Sequence, residues 1–221
     1  MDVKKAYKRR FSTEISFRNA MWSLLCHEYF QKWIPEDARI LEIAAGYCEF
    51  INHIKAKKKI ALDINPDVRQ FATADIDVIL SESENIKMVS DGSIDVVFVS
   101  NFFEHITKTS ITKTLKEIFR ILIPNGRLII LQPNIRYCYK DYWMFFDHIT
   151  PLDDRALVEI LELTKFKMIN VIPQFLPYST KSALPKSLFL IRLYLKLPIL
   201  WRLFGKQALI ICEKTDPLAL R

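Results

Sequence analysis

Polar groups with the chemistry of ligand contacts recur along this chain at intervals of about twenty residues, each placed where an apolar run ends: Glu42, Asp63, Glu82-Ser83 and Ser100-Asn101, the last followed by Phe102. A carboxylate such as Asp63 can accept two hydrogen bonds from a vicinal diol like that of a ribose. Glu82 beside the small Ser83 suits the amino group and a ring nitrogen of an adenine. Ser100 and Asn101 offer polar groups before an aromatic wall at Phe102. After Glu42 comes Ala44-Ala45-Gly46-Tyr47, read as a tight turn from a buried strand into a helix. Such a turn aims free backbone N–H groups at whatever lies above the sheet. A lone carboxylate after a strand is a solvated strand end; four such sites in order form a pattern.

A second group could act on a substrate. His148 follows Asp147, and a carboxylate beside an imidazole can orient the ring or raise its pKa, the arrangement of a general base. Just upstream, residues 137–146 hold six aromatics, Tyr137, Tyr139, Tyr142, Trp143, Phe145 and Phe146. Sugars, nucleobases and lipid-like groups all stack on such faces. Tyr137, Tyr142 and Trp143 are the expected contacts, with Arg136 and Lys140 placed to meet a phosphate. His27, His53 and His105 read as surface, packing or structural residues.

The elements that must position these groups alternate. Helical periodicity covers 13–33; apolar runs at 39–44, 57–63, 77–80, 94–100, 127–132, 167–173 and 207–213 read as strands. Helices are expected over about 48–56, 107–122 and 153–164, with Asp153 as an N-cap. This order calls for one domain spanning 1–221: a Rossmann-like, seven-stranded, mostly parallel α/β sheet with one antiparallel terminal strand and helices on both faces. Three appendages are expected: a basic arm and helix at 1–35, an aromatic lid at 133–150, and a basic apolar helical insert at 178–206.

Composition narrows the class. Half of the 221 residues are apolar, enough for a sizeable core. The four cysteines are scattered with no CxxC pair, which argues against a zinc site or a disulfide framework and suits a reducing cytosol; no metal is expected. No apolar stretch follows the basic opening, so no secretory leader is expected. The net charge of +7 is concentrated: residues 1–10 carry five Lys/Arg against one Asp, and 186–206 carry five with no acid. The second segment is interrupted by Arg192, Lys196 and Pro198, so it cannot span a bilayer. Two short helices lying in a membrane interface, with Trp201 as anchor, fit its composition.

The segments 41–50, 61–66, 90–106 (SDGSIDVVFVSNFFEHI) and 122–131 (LIPNGRLIIL) resemble the class I S-adenosylmethionine-dependent methyltransferases of the broad type 11 group. The resemblance implies that Glu42 faces the sulfonium side and that the backbone of Ala44, Ala45, Gly46 and Tyr47 holds the methionyl group. Asp63, with Ile64 beside it, would bind the ribose, Glu82 and Ser83 the adenine, and Ser100, Asn101 and Phe102 the methionine end. The family's first loop carries three glycines; here those positions read Ala44, Gly46 and Cys48. Alanine can replace glycine where φ is negative, and Cys48 is expected at a helix start where glycine is least required. A dinucleotide would need Gly-x-Gly-x-x-Gly, which the chain lacks.

The expected activity is methyl transfer from S-adenosylmethionine to the oxygen of a glycan or lipid-linked small molecule, in the cytoplasm and peripheral to the inner membrane face. This rests on the lid, the interfacial segment and a resemblance to methyltransferases of bacterial surface-polysaccharide assembly. The chain is expected as a monomer or homodimer. Nucleic acid is an unlikely partner, since no RNA-binding module is present. The alternatives are a methyltransferase acting on nucleic acid and a non-catalytic Rossmann-like subunit that recruits a partner enzyme.

Overall fold

A computed structural model describes residues 15–178 and 187–215. The basic stretch 1–10 and Lys186 lie outside these. The strands are β1 (Arg39–Ile43), β2 (Lys58–Asp63), β3 (Ile76–Leu80), β4 (Ile94–Ser100), β5 (Leu122–Pro133), β6 (Phe166–Leu176) and β7 (Gln207–Lys214). The helices are α1 (Ile15–Glu28), α2 (Lys108–Ile121), α3 (Ile135–Tyr142), α4 (Asp154–Leu163), α5 (Leu188–Lys196) and α6 (Pro198–Phe204). All seven strands form one sheet in the order β3-β2-β1-β4-β5-β7-β6. Only β7 runs antiparallel, slotted between β5 and β6 rather than at an edge. The strand order reverses between β1 and β4, the two central neighbours that pair in parallel, and such a switch point opens a crevice at the strands' carboxyl ends.

Both faces are covered, and the strand sequences show why. On β4, Val96 and Phe98 point to one core, and Ile94, Val97 and Val99 to the other. On β5, Ile129 and Leu131 alternate with Leu128 and Ile130; on β7, Leu209 and Ile211 alternate with Ile210 and Cys212. The period-2 pattern with no polar face is the signature of a sheet buried on both sides. The first core packs against α1, α5 and α6 and is rich in aromatics, with Phe50 stacked on Phe98 at 3.6 Å. The second packs against α2 and α4. Thr107 caps α2 by accepting from the Ser110 N–H, and Asp153 caps α4 by accepting from Ala156. All four cysteines are buried and unbridged.

One expected helix is missing, and two of the appendages take a definite form. No helix forms over 48–56; the segment runs as turns, because Cys48 has φ +54° and its N–H is already given to the Ala45 carbonyl. A left-handed residue at that point cannot start a right-handed helix. The aromatic insert begins with α3, kinked at Cys138 and capped by Asn134. The basic apolar segment does form two helices, but it also belongs to the core. Tyr194 and Leu195 are buried, the Tyr194 hydroxyl donates to the Phe175 carbonyl (2.6 Å), and Trp201 packs on Tyr29 and Phe175. Trp201 also donates its indole N–H to the Tyr194 carbonyl (2.8 Å), so it is a packing residue and not an outward anchor.

Gly205 marks where α6 meets β6. A Cβ there would lie 2.5 Å from the Trp201 carbonyl oxygen and 2.7 Å from the Gln174 carbonyl carbon, both backbone atoms that cannot step aside. Gly205→Ala is expected to cost about 2–3 kcal/mol, the cost of an overpacked site. Urea unfolding monitored by circular dichroism checks this; a midpoint equal to that of the parent protein would contradict the close approach.

Candidate functional site

The crevice floor is the loop after β1. Ala44, Gly46 and Cys48 have φ of +55°, +53° and +54°, so all three positions where the resemblance places glycines are left-handed. The expectation that alanine sits at negative φ, and that Cys48 begins a helix, is therefore wrong. Two non-glycine residues hold a conformation that ordinarily costs about 1–2 kcal/mol each. Cys48 is fully buried among core residues, and Ala44 packs against the second core, which offsets that strain.

What holds the loop in this shape is a set of carboxylates. The Gly46 N–H donates to the Asp63 carboxylate (2.8 Å), which also accepts from the Asn65 N–H (2.8 Å). The Ile51 N–H donates to Glu42 (3.1 Å). Glu49 pairs with Arg18, whose guanidinium lies 5.8 Å from the centre of the Tyr47 ring. Glu42 is buried, and burial first, then the neighbouring carboxylates Glu49 and Asp63, push its carboxyl well above the usual range despite the Ile51 hydrogen bond. The loop is thus bordered by three acids, an environment that favours a cationic group and repels a pyrophosphate.

The other expected contacts divide. Ile64, beside Asp63, is 70 % exposed, a bare apolar side chain at the mouth of the crevice. Glu82 is exposed. Ser83 is buried instead, its hydroxyl 2.7 Å from that of Thr114 on α2, so its side chain braces the sheet against that helix. Asn101 has φ +47°, and its side-chain oxygen accepts from Gln207 at the start of β7 (2.7 Å). Ser100 and Phe102 are half-buried beside it.

Beyond β4 lies a cluster that the sequence reading divided. The turn Phe103–His105 puts Glu104 and His105 at the carboxyl end of β4. The Ile149 and Thr150 N–H groups both donate to the Glu104 carbonyl (2.9 and 3.1 Å), and this brings His148 alongside. The His105 and His148 ring centres lie 4.9 Å apart. The Asp147 carboxylate and carbonyl lie 3.4 and 3.1 Å from His105 Nδ1, so Asp147 contacts His105. His148 is only 6 % exposed, enclosed by Tyr142, Phe145, Tyr178 and His105. Glu104 is 1 % exposed; it accepts from the Gln132 amide (2.8 Å), and burial holds its carboxyl above the usual range.

The expected substrate residues fare unevenly. Tyr142 is fully buried and donates to the Thr150 carbonyl (2.6 Å), a strut under the loop that carries His148. Arg136 is paired with Asp154 (2.9 Å) and lies against the Tyr137 ring, so it is not poised for a phosphate. Trp143 remains 58 % exposed, with Tyr139 and Phe146 exposed near it. At the opposite, amino-terminal edge of the sheet, a hollow lined by Asp37, Arg39, Lys57, Lys58, Asp77 and Asp95 is occupied by ion pairs such as Arg39–Asp95 and carries no comparable chemistry.

Glu42 supplies a test of this electrostatic picture. Because its folded-state pKa is raised, the folded protein binds the extra proton more tightly than the unfolded chain, and stability falls as pH rises above the ordinary carboxylate value of about 4.5. Glu42→Gln removes that loss, and its amide oxygen can still accept from Ile51. The melting temperature of the variant minus that of the parent should increase from pH 4.5 to pH 7; a difference independent of pH would contradict a buried, strained carboxylate.

Comparison with known proteins agrees with this geometry. Residues 41–130 match the model of a methyltransferase domain. No curated protein sequence matches the chain. A methyltransferase from Archaeoglobus fulgidus, described as S-adenosylmethionine-dependent, has a similar structure, with a TM-score of 0.69, 22% identity, and coverage of 93% of this chain and 99% of that one. Another such enzyme, from Thermotoga maritima, gives 0.67 at 17% identity, covering 95% and 99%. A chain from the complex of the Haloferax volcanii Trm112 methyltransferase activator with a methyltransferase gives 0.69 at 14% identity, covering 95% and 96%. Over residues 41–130 the chain is thus similar to methyltransferase domains, and it shares the fold of these solved structures.

Proposed function

We propose that this chain methylates an oxygen of a glycan or lipid-linked small molecule, with the donor lying from Asp63 across the loop after β1 to Phe102. The observation that carries the placement is the hydrogen bond from Gly46 to Asp63, which joins the left-handed loop to the end of β2 within a ring of acids. The donor fits these residues. Its sulfonium is cationic and would relieve the Glu42 carboxylate. Asp63 offers acceptor oxygens for a diol, and the exposed Ile64 an apolar face for the purine. Glu82 stands where the adenine amino group would arrive, while the Ser83 hydroxyl, tied to Thr114, contributes through its backbone alone.

When bound, the donor supplies a methyl group already activated for in-line displacement. The protein's part is then alignment and exclusion of water. Asn101, fixed by Gln207, and Phe102 wall the methionine end. The acceptor oxygen approaches from the α3 side, past the exposed Trp143, and meets the cluster of Glu104, His105 and His148. His148 serves as a member of that cluster. A hydroxyl acceptor must lose its proton as the methyl carbon leaves sulfur for oxygen, and this polar cluster is the place where that proton can be managed.

Titration calorimetry with S-adenosylmethionine and S-adenosylhomocysteine should show one site per chain, with Asp63→Ala weakening it at least about tenfold, roughly 1.4 kcal/mol. Unchanged affinity in the variant would overturn the placement. Incubating the enzyme and methyl-labelled donor with fractionated cell extract should label the glycan or lipid fraction; label confined to RNA or DNA would overturn the acceptor.

The lipid-linked acceptor finds support in α5 and α6. Among the described residues no helix is long and apolar enough to cross a membrane. Yet Phe189, Ile199 and Leu203 are 60–73 % exposed, with Lys196 and Arg202 on the same two helices. An apolar face edged by cations suits an anionic bilayer surface. The protein is expected to float with anionic vesicles and Phe189→Glu/Leu203→Glu to stay behind; equal flotation of both would remove the membrane from this reading.

A further inference from the structure

Glu104, His105 and His148 offer one ligand-type atom each, all within 4.8 Å of one another. Three independent observations make this more than a chance meeting of polar groups. The first is how the remaining atoms of each side chain are used. Glu104 Oε2 accepts from Gln132, which leaves Oε1 facing His105 Nε2 at 3.8 Å. His105 Nδ1 sits against the carbonyl and carboxylate of Asp147, which fixes the N–H there and leaves the Nε2 lone pair turned toward Glu104. An imidazole bound to a metal almost always donates its other N–H to a carboxylate or carbonyl, and a ligating carboxylate is itself hydrogen-bonded. Both outer contacts are in place.

The second observation is charge. Glu104 is 1 % exposed, and among the described residues its ion-pair partner is His105 alone, with no lysine or arginine in reach. A buried carboxylate is costly unless it is paired or coordinates a metal. The nearby Asp147 carboxylate adds to the cost. The third is the amide of Gln132. It is fully buried, and its oxygen has no hydrogen-bond donor among the described residues, although its nitrogen is bonded to Glu104. A water on an ion beside Glu104 would supply that donor.

We propose that Glu104, His105 and His148 bind one divalent transition-metal ion at the carboxyl ends of β4 and β5. Two imidazoles and a carboxylate suit Zn²⁺, Mn²⁺, Fe²⁺ or Co²⁺ rather than Ca²⁺ or Mg²⁺, whose preference is for oxygen. Ligand atoms of such ions lie about 2.0–2.2 Å from the metal, so the three groups must draw together by roughly an ångström on binding. His105 can make that movement, since its side chain is 27 % exposed while the other two are enclosed. Three protein ligands leave a coordination position open. That position would hold the acceptor oxygen, a role that rests on the methyl-transfer reading above. The ion would polarise that oxygen as a Lewis acid and lower the pKa of its hydroxyl, so that the proton is released to water before the oxygen takes the methyl group and the sulfonium leaves as a neutral thioether.

The test uses untagged full-length protein stripped with a chelator and titrated with Co²⁺, whose visible absorption reports nitrogen and oxygen coordination, then with Zn²⁺ by competition. One equivalent per chain is expected. Glu104→Gln and His105→Ala should each abolish stoichiometric binding while their circular dichroism and donor affinity stay at parent values. Binding well below one equivalent by the parent protein, or parent-like binding by both folded variants, would overturn the site. Calorimetry with S-adenosylmethionine on the same metal-free protein separates the two readings. Donor binding without Co²⁺ binding removes the ion alone; Co²⁺ binding without donor binding removes the methyl-transfer role and leaves the ion.

Discussion

One hydrogen bond organises the crevice, that from the Gly46 N–H to the carboxylate of Asp63. Asp63 ends β2, and Gly46 lies in the loop that leaves β1, so the contact ties two neighbouring strand ends together at the switch point. It needs the loop to be left-handed, because only then does Gly46 point its N–H across to β2. Left-handedness at Ala44 and Cys48 costs energy that burial of Cys48 and packing of Ala44 must offset. The absent helix over 48–56 follows from the same constraint, since a chain that passes through Cys48 at φ +54° leaves in turns.

The crevice is lined by charge that the fold cannot satisfy internally. Glu42 at the end of β1 and Glu104 after β4 are both buried, and both carboxyls are held above their usual range chiefly by desolvation. Neither has an arginine or lysine partner among the described residues, whereas Glu49, slightly more exposed than either, has Arg18. Two buried acids without a lysine or arginine partner give the opening a polarity that would suit cations. The proposed sulfonium on the β1 side and the proposed divalent ion on the β4 side would both answer to these buried acids. This also explains why the glycine-poor loop is compatible with function. A pyrophosphate would need both close backbone approach and positive surroundings, and the crevice offers neither.

Stability and site are built from the same side chains. Tyr142 looks like a substrate platform in the sequence, yet it serves as a strut, holding Thr150 so that the loop bearing His148 reaches Glu104. Arg136 looks like a phosphate contact and instead locks the start of α3 to α4 through Asp154. Trp201 looks like a membrane anchor and instead closes the aromatic core between α1, α6 and β6. In each case a large or charged side chain near a predicted surface found a buried partner from a distant segment.

Strand alternation, the apolar runs and the caps at Thr107 and Asp153 were readable because they depend on neighbours one to four residues away, and the two-faced apolar pattern of β4, β5 and β7 dictates a sheet covered on both sides. The polar residues at strand ends were readable for the same reason: a parallel sheet delivers all its carboxyl ends to one edge. The similarity to methyltransferase domains was legible through those ends and the 90–106 and 122–131 segments. Backbone sign at Ala44 and Cys48 was not, since residue type says glycine is absent but not that the fold demands φ > 0 regardless. Nor was the meeting of Glu104, His105 and His148, which depends on two N–H groups of Ile149 and Thr150 finding one carbonyl. The sequence by itself determined which groups reach the crevice along each strand. Tertiary structure alone decided which of them face one another, because that depends on loops whose paths are set by distant hydrogen bonds and by packing, not by local periodicity.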